Sequence, residues 1–158
     1  MPTVAVIHHS GSGKTKALAL AIAADARSVA GTTVVELAIT GPQIVEGRFT
    51  DEALLAKLDA ADAIIFGAPT YMGGVSGQFK TFADATGGRW YHRTWAGKVA
   101  GGFTTSASPS GDKQGSLLYL SILAAQQGMV WVSQNELNGA LAGQPHDTAV
   151  NRLGSPSA

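Results

Sequence analysis

The sequence contains no cysteine, and this absence excludes disulfide bonds, thiolate catalysis and cysteine-ligated metal sites. It also lacks an excess of charge, since eleven basic residues balance eleven acidic ones and no run of one sign occurs. Such a balance gives no sign of the basic surface patch with which proteins bind nucleic acid or an anionic membrane. We therefore expect neither a nucleic acid nor a membrane among the partners of this protein.

Long apolar segments are missing as well. No uninterrupted apolar run reaches the roughly 18–20 residues that a membrane-spanning helix needs. The segment from Met1 to Val4 has neither the basic start nor the apolar stretch of a signal peptide. These two absences lead us to expect a cytoplasmic protein.

The chain does contain enough apolar material for a packed core. Hydrophobic residues make up 45% of its 158 positions and charged residues only 14%, a composition typical of globular domains. A chain of this length normally folds around one core, and we find no internal repeat. The sequence therefore predicts a single domain over residues 1–158.

Predicted strands and helices alternate along the chain. Short apolar runs, several rich in β-branched residues, predict five strands: Thr3–His8, Thr33–Ile39, Ala63–Gly67, Val99–Thr105 and Met129–Ser133. Longer segments between them predict four helices: Lys14–Ala30, a helix capped by Thr50 or Asp51 and running to about Ala60, Val75–Thr86 and Lys113–Gln127. Apolar strands separated by helices indicate an α/β fold with a parallel, doubly wound sheet and three α/β/α layers.

The connecting segments are expected to be irregular. Gly41–Thr50 is polar and predicts a loop, and the pair Gly87–Gly88 is expected to end the third helix. A last helix could begin within His146–Leu153, but the chain ends at Ala158. We therefore expect that last helix to be short or missing.

The segment after the first strand looks like the end of an ATP-binding phosphate loop, because Gly13–Thr15 reads Gly-Lys-Thr. His8 stands where that motif requires its first glycine, and the third predicted strand does not end in a magnesium-binding acid. The loop still leads into a helix N-terminus, where free N–H groups favour a phosphate. An ordinary turn capped by Ser12 is the alternative interpretation of the same residues.

Two further loops follow the third and fourth predicted strands. Residues 67–74 read GAPTYMGG, with an aromatic side chain and free backbone groups, and residues 103–111 read FTTSASPSG, rich in hydroxyls. Because ligands of parallel α/β sheets bind outside the carboxyl ends of the strands, we expect these loops to meet the first one. Together they suit a planar, phosphorylated cofactor.

These residues resemble the flavodoxin-like family, and in particular its tryptophan-repressor-binding-protein type of NAD(P)H:quinone oxidoreductase. The resemblance runs from Val4 to about Val132. Its most specific part is the segment Asp62–Trp90, and Gly97–Gly111 is similar to the family's third flavin loop. The first loop matches the family's phosphate loop, although that match alone is not specific.

The resemblance implies a flavodoxin-like sheet of five parallel strands, in the order 2-1-3-4-5, that binds FMN. Residues in the position of the phosphate loop are Ser10, Ser12, Gly13, Lys14 and Thr15. Residues expected to flank the isoalloxazine ring are Pro69, Thr70, Tyr71, Met72 and Gly73. Residues expected along its other edge are Thr105, Ser106, Ala107, Ser108, Pro109 and Ser110.

Two more positions are implied outside the loops. In the family a tryptophan at the position of Trp90 lies near the flavin of a neighbouring subunit, so the resemblance implies a homo-oligomer, a dimer or a tetramer. Gln127 stands where the family often has a flavin-contacting histidine, and it can donate a hydrogen bond but cannot titrate. His92 and Arg93 are further candidates for contact with a nicotinamide phosphate or a quinone.

The implied activity is the transfer of two electrons from NAD(P)H, as co-substrate, to a small-molecule quinone, with FMN as cofactor. It requires neither a catalytic side chain nor a metal. Three alternatives stay open: a flavodoxin-type FMN electron carrier, a P-loop nucleotide hydrolase, and a binding module that has lost FMN. The last arises because Tyr71 and Met72 replace the Arg-Phe pair of many members.

The alternatives extend to single residues. Tyr71 is also consistent with an ordinary loop aromatic, Trp90 with a core or surface filler, and Lys14 with a solvated first-turn residue. Each of these interpretations is tested by where the fold places the side chain.

Overall fold

The computed structural model describes residues 1–109 and 111–136, together with residues 139, 141, 143 and 145. The strands of this part, numbered along the chain, are β1 Thr3–His9, β2 Thr33–Ile39, β3 Ile44–Val45, β4 Arg48–Phe49, β5 Ala63–Tyr71, β6 Gly74–Val75, β7 Val99–Thr105 and β8 Val130–Trp131. Five of them pair in parallel in the order β2-β1-β5-β7-β8. The predicted sheet of order 2-1-3-4-5 is confirmed.

Helices cover both faces of this sheet. They are α1 Lys14–Ser28, α2 Glu52–Asp59, α3 Gly77–Ala85, α4 Gly87–Tyr91 and α5 Lys113–Gln126. Helix α1 packs on one face, against β1, β2, β5 and β7, whereas α3 and α5 pack on the other. The predicted doubly wound, three-layer arrangement is therefore confirmed. No helix among the described residues is long and apolar enough to cross a membrane.

The alternation of side chains along β1 divides the core between these two faces. Val6 joins Ala19 and Ala23 of α1 in a small apolar cluster. Ala5 and Ile7 point to the opposite face and belong to the larger cluster that α2, α3 and α5 complete. Because both faces are buried, the strand is apolar without a polar alternation, as the sequence pattern indicated.

The third strand of the parallel sheet is longer than predicted. Instead of ending at Gly67, β5 continues to Tyr71 and turns back into the short antiparallel strand β6. The two turn residues, Met72 and Gly73, both have positive φ, at 50° and 80°, as a two-residue type I′ hairpin turn requires. The second loop is therefore a defined hairpin, and Val75 belongs to it and not to the next helix.

Two other segments are more regular than the sequence predicted. The expected loop Gly41–Thr50 contains a short 3₁₀ turn and the hairpin β3–β4, which is anchored because buried Phe49 packs edge-to-face on Phe82 at 5.5 Å. Helix α3 ends at Ala85, just before the Gly87–Gly88 pair that was expected to end it, and the pair begins the short helix α4. The proposed start of a last helix within His146–Leu153 lies outside the described residues.

Candidate functional site

The first loop, residues 10–13, connects β1 to α1 and is capped from within. The Ser10 hydroxyl oxygen accepts hydrogen bonds from the backbone N–H groups of Gly13, at 3.1 Å, and Lys16, at 3.2 Å. Gly13 has a left-handed backbone conformation, with φ of 86°, which residues other than glycine rarely adopt. Ser10 therefore replaces Ser12 as the capping residue, and Ser12 and Lys14 remain exposed.

This loop offers the donors that a phosphate needs. The N–H groups of Lys14 and Thr15 open the helix and have no carbonyl partner one turn back. The helix dipole adds partial positive charge at the same point, and the side chains of Lys14 and Lys16 belong to the same first turn. A phosphate monoester therefore fits the first loop.

Hydroxyl groups connect the first loop to the third. Thr15 is buried, and its Oγ1 lies 2.8 Å from Oγ1 of Thr105, the last residue of β7. This hydrogen bond joins the start of α1 to the start of the third loop across the carboxyl ends of the strands. The structure thus brings two of the three predicted loops together.

The second loop joins the group through Thr70. Its Oγ1 lies 2.8 Å from Oγ1 of Thr104 and 2.8 Å from Oγ of Ser116, which is fully buried on α5. These bonds connect β5, β7 and α5. The predicted convergence of the loops at one sheet edge is therefore present in the fold.

The third loop folds onto itself. The Ser106 hydroxyl donates to the Ser108 carbonyl at 2.7 Å, and the Lys113 ammonium donates to the carbonyls of Ser108 and Pro109 at 3.0 and 2.6 Å. Ala107, Ser108 and Pro109 are exposed, while Ser106 is half-buried. Ser110, also predicted for the cofactor, lies outside the described residues.

The hairpin that forms the second loop is fixed at both of its ends. At its base Pro69 is buried within β5. At its tip Met72 is fully exposed, and the Gly73 carbonyl oxygen lies so close to α5 that a Cβ on Gly115 would approach it to 2.5 Å. A glycine at position 115 therefore permits the hairpin to pack against the helix.

Tyr71 points from this hairpin to the first loop. A Cβ added to Gly11 would lie 2.3 Å from the Tyr71 hydroxyl oxygen and 3.4 Å from Cζ of its ring. The phenol thus packs directly on the backbone of the phosphate loop, while 46% of the residue stays exposed. The sequence predicted Tyr71 for the site, but it did not predict this contact or the role of Gly11 in it.

Two buried histidines lie below the first loop. Burial lowers the pKa of His8, and the positive charge of Lys16 lowers it further. Burial also lowers the pKa of His9, whose Nδ1 lies 2.8 Å from the hydroxyl of Ser76, the cap of α3. Nδ1 of His8 is buried without a hydrogen-bond partner among the described residues. Both imidazoles are therefore neutral near pH 7.

Two predicted residues lie on other elements. Trp90 is 48% exposed on α4. Gln127 follows α5 and is buried, and its amide donates to the Thr86 hydroxyl at 2.8 Å and to the Thr86 carbonyl at 3.3 Å. The described structure shows the amide N–H of Gln127 engaged with Thr86, so its proposed contact with a flavin stays a prediction.

Sequence reasoning missed Thr104, Gly11 and Ser116. Thr104 adjoins a predicted residue, so its hydroxyl was a visible signal. Ser116 lies in a predicted helix and Gly11 in a predicted loop, and nothing in their local sequence indicates which side chains approach them. Only the register of the sheet brings these residues to the same edge.

A family model described as NADPH-dependent FMN reductase matches residues 2–144 of the chain. Flavodoxin FldP of Pseudomonas aeruginosa is 47% identical over 133 residues, which cover 84% of this chain and 66% of that protein. An NAD(P)H dehydrogenase (quinone) of Geobacter sulfurreducens is 35% identical over 154 residues, covering 89% and 74%. The chain thus spans about two thirds to three quarters of the length of these relatives.

Solved structures agree with the sequence relatives. The flavodoxin, WrbA-like protein from Agrobacterium tumefaciens superposes with a TM-score of 0.73 at 44% identity, covering 97% of this chain and 88% of that one. An archaeal flavodoxin superposes with a TM-score of 0.63 at 23% identity, covering 82% and 78%, and it supports the fold alone.

Proposed function

Because the chain belongs to the NADPH-dependent FMN reductase family, we propose that it is an FMN-dependent oxidoreductase that passes two electrons from NAD(P)H to a quinone. The observation behind this proposal is the convergence of the three loops. Hydrogen bonds between side-chain hydroxyls connect Thr15 with Thr105 and Thr70 with Thr104. When bound, FMN supplies the redox chemistry, and the protein supplies binding and orientation.

The proposal assigns a role to the residues of each of the three loops. The first loop holds the phosphate with backbone N–H groups, the hydroxyl of Ser12 and the charge of Lys14. The hairpin residues Pro69–Gly73 and the third-loop residues Thr105–Pro109 line the rest of the cofactor. Ser110 remains a proposed member of this third group.

The proposal is tested by adding FMN to the purified protein and recording the visible spectrum. We expect the protein to retain a yellow flavin after gel filtration, and the loaded protein to oxidise NADPH or NADH when benzoquinone is present. Free FMN at the same concentration is the control. A protein that takes up no FMN at micromolar concentration would contradict every flavin-dependent function.

A flavodoxin-type electron carrier is the second candidate. It is favoured by the name of the Pseudomonas relative, a flavodoxin at 47% identity. The two candidates differ in one measurement, because a carrier retains FMN but does not turn over nicotinamide and benzoquinone. The nucleotide-hydrolase alternative receives no support from the relatives, which are flavin proteins by family.

Trp90 bears on the assembly of the protein. It lies beside Tyr91 on α4, and the two residues are 48% and 73% exposed. We propose a homo-oligomer, a dimer or a tetramer, in which this surface approaches the cofactor of a neighbouring subunit. Light scattering on the native protein and on Trp90→Ala would detect the assembly, and an unchanged monomer in both would contradict it.

A further inference from the structure

We propose that Tyr71 recognises the phosphate end of the cofactor and thereby makes the site selective for FMN over riboflavin. The inference rests on the proposed function, because it concerns the same flavin site. It gives Tyr71 a different role from the one that the family resemblance implies, which is to flank the isoalloxazine ring. The observation behind it is the contact between the Tyr71 hydroxyl and Gly11 in the first loop.

The hairpin holds the backbone that carries Tyr71. Tyr71 is the last residue of β5 and pairs with Gly74 across a turn of only two residues. Thr70, immediately before it, is bonded to Thr104 and to Ser116. A short turn and two hydrogen bonds at the neighbouring residue leave the backbone of Tyr71 little freedom to move.

The hydroxyl also lies beside the first loop, where it is available as a further donor to a bound phosphate. Gly11 stands between Ser10, whose oxygen accepts from the loop N–H groups, and Gly13, which directly precedes α1. An O–H group held on this backbone lies at the rim of the anion cradle and can donate to a phosphate oxygen. Such charge-assisted hydrogen bonds are stronger than bonds between neutral groups.

The identity of residue 11 supports the same assignment. Gly11 does not have a positive φ, so its backbone would accept an alanine. The obstacle to a side chain is Tyr71 itself, whose hydroxyl oxygen would be 2.3 Å from the new Cβ. Because glycine has no Cβ, this position leaves room for the phenol of Tyr71 to pack on the loop.

The test compares FMN with riboflavin, which has the same ring but no phosphate. Both flavins are titrated into the native protein, into Tyr71→Phe and into Tyr119→Phe, and binding is followed by quenching of flavin fluorescence. Tyr119 is a matched control because it is a half-buried tyrosine on α5, outside the three loops. Melting temperatures of all three proteins verify that they are folded.

We expect Tyr71→Phe to weaken FMN binding about tenfold or more and to change riboflavin binding less than twofold. Tyr119→Phe should change neither. A second variant, Gly11→Ala, should displace the phenol and reproduce the selective loss of FMN affinity. This variant tests the contact without removing the hydroxyl.

Two results would overturn the inference while leaving the proposed function intact. In one, Tyr71→Phe binds FMN as tightly as the native protein. In the other, the variant loses affinity equally for FMN and riboflavin, as a residue beside the ring would. If the native protein binds no FMN, the proposed function fails and the inference fails with it.

Discussion

His8 and His9 end β1 directly below the first loop, and both are buried. Each has a pKa lowered from its ordinary value of 6.5, in both cases chiefly because burial disfavours the charged imidazolium. A group with a lowered pKa in the folded state stabilises the protein above its unfolded pKa. That stabilisation is lost as the pH falls from 6.5 through the folded pKa.

We therefore expect the free energy of unfolding to decrease between pH 7.5 and pH 5.5, above the range in which carboxylates titrate. Urea denaturation at several pH values measures it. The variant His9→Asn should reduce the pH dependence, because it removes one buried imidazole. His92→Gln is the control, since His92 is exposed and should not change the dependence. Equal stability of the native protein at the two pH values would contradict this expectation.

The sequence placed the first loop between β1 and α1 but did not indicate how that loop is capped. Ser12 was the expected cap because it is close in sequence to the helix start. Ser10 takes that role because Gly13 adopts a left-handed conformation, which turns the loop N–H groups back to the Ser10 hydroxyl. Such a choice depends on one backbone angle, and local sequence does not determine it.

The hairpin β5–β6 packs closely against α5 because the helix has a glycine, Gly115, in its first turn. A Cβ on Gly115 would lie 2.5 Å from the carbonyl oxygen of Gly73. The obstacle is a backbone atom in a short turn and not the end of a flexible side chain. An added methyl group can therefore be accommodated only if the hairpin moves.

We expect Gly115→Ala to lower the free energy of unfolding by about 1–3 kcal/mol, the usual cost of overpacking. Urea denaturation measures this change. Gly88→Ala on α4 is the matched control, because no atom lies within 4 Å of its added Cβ. There the helix should gain about 0.5–1 kcal/mol from alanine. A gain in both variants would show that the hairpin does not rest on Gly115.

Helix α4, which presents Trp90, is attached to α2 by a polar cluster around Asp59. The Asp59 carboxylate accepts a hydrogen bond at 2.7 Å from the indole N–H of fully buried Trp95. It also accepts from the guanidinium of Arg89, which in turn bonds Glu52 at 2.8 Å. A buried indole and a largely buried guanidinium therefore depend on the same carboxylate.

Replacing Asp59 with Ala should lower the free energy of unfolding by about 1–3 kcal/mol, because a buried donor loses its partner. Chemical denaturation and tryptophan fluorescence would detect the change. Asp84→Ala is the control, since it removes only the exposed ion pair with Lys80, and such pairs contribute about 0.3–0.5 kcal/mol. A similar loss in both variants would refute the structural role of the Asp59 cluster.

Periodicity and composition predicted the parallel sheet well, because buried strands and capped helices are encoded locally. Thr50 and Asp51 were the two candidates to cap the second helix, and it is the Asp51 carboxylate that accepts from the Leu54 N–H, at 2.8 Å. The small antiparallel hairpins β3–β4 and β5–β6 escaped prediction. Strands of two residues have no periodicity to detect, and their formation depends on Phe49 reaching Phe82 and on the turn at Met72–Gly73.

The candidate site as a whole is built from residues far apart in the sequence. Thr15 and Thr105, which bond each other, are separated by 90 positions. Thr70 and Ser116 are separated by 46. The binding site therefore exists only when the whole sheet has formed, so unfolding of the sheet would remove it.

For this reason we expect FMN to stabilise the entire chain and not only its loops. A free FMN concentration one hundred times the dissociation constant should raise the free energy of unfolding by about 2.7 kcal/mol. Thermal or urea unfolding with increasing FMN measures this, and riboflavin at the same concentration serves as comparison. A transition that does not move with saturating FMN would contradict a site shared by distant elements.

The bond between Thr15 and Thr105 also has a consequence for biosynthesis. The ribosome completes the first loop early, but that loop gains its partner only after Thr105 has been made, 90 positions later. Since parallel strands must wait for the segments that connect them, a nascent chain holds an open first loop until then. Capture of the cofactor is thus a late event, and it marks the chain that has completed its sheet.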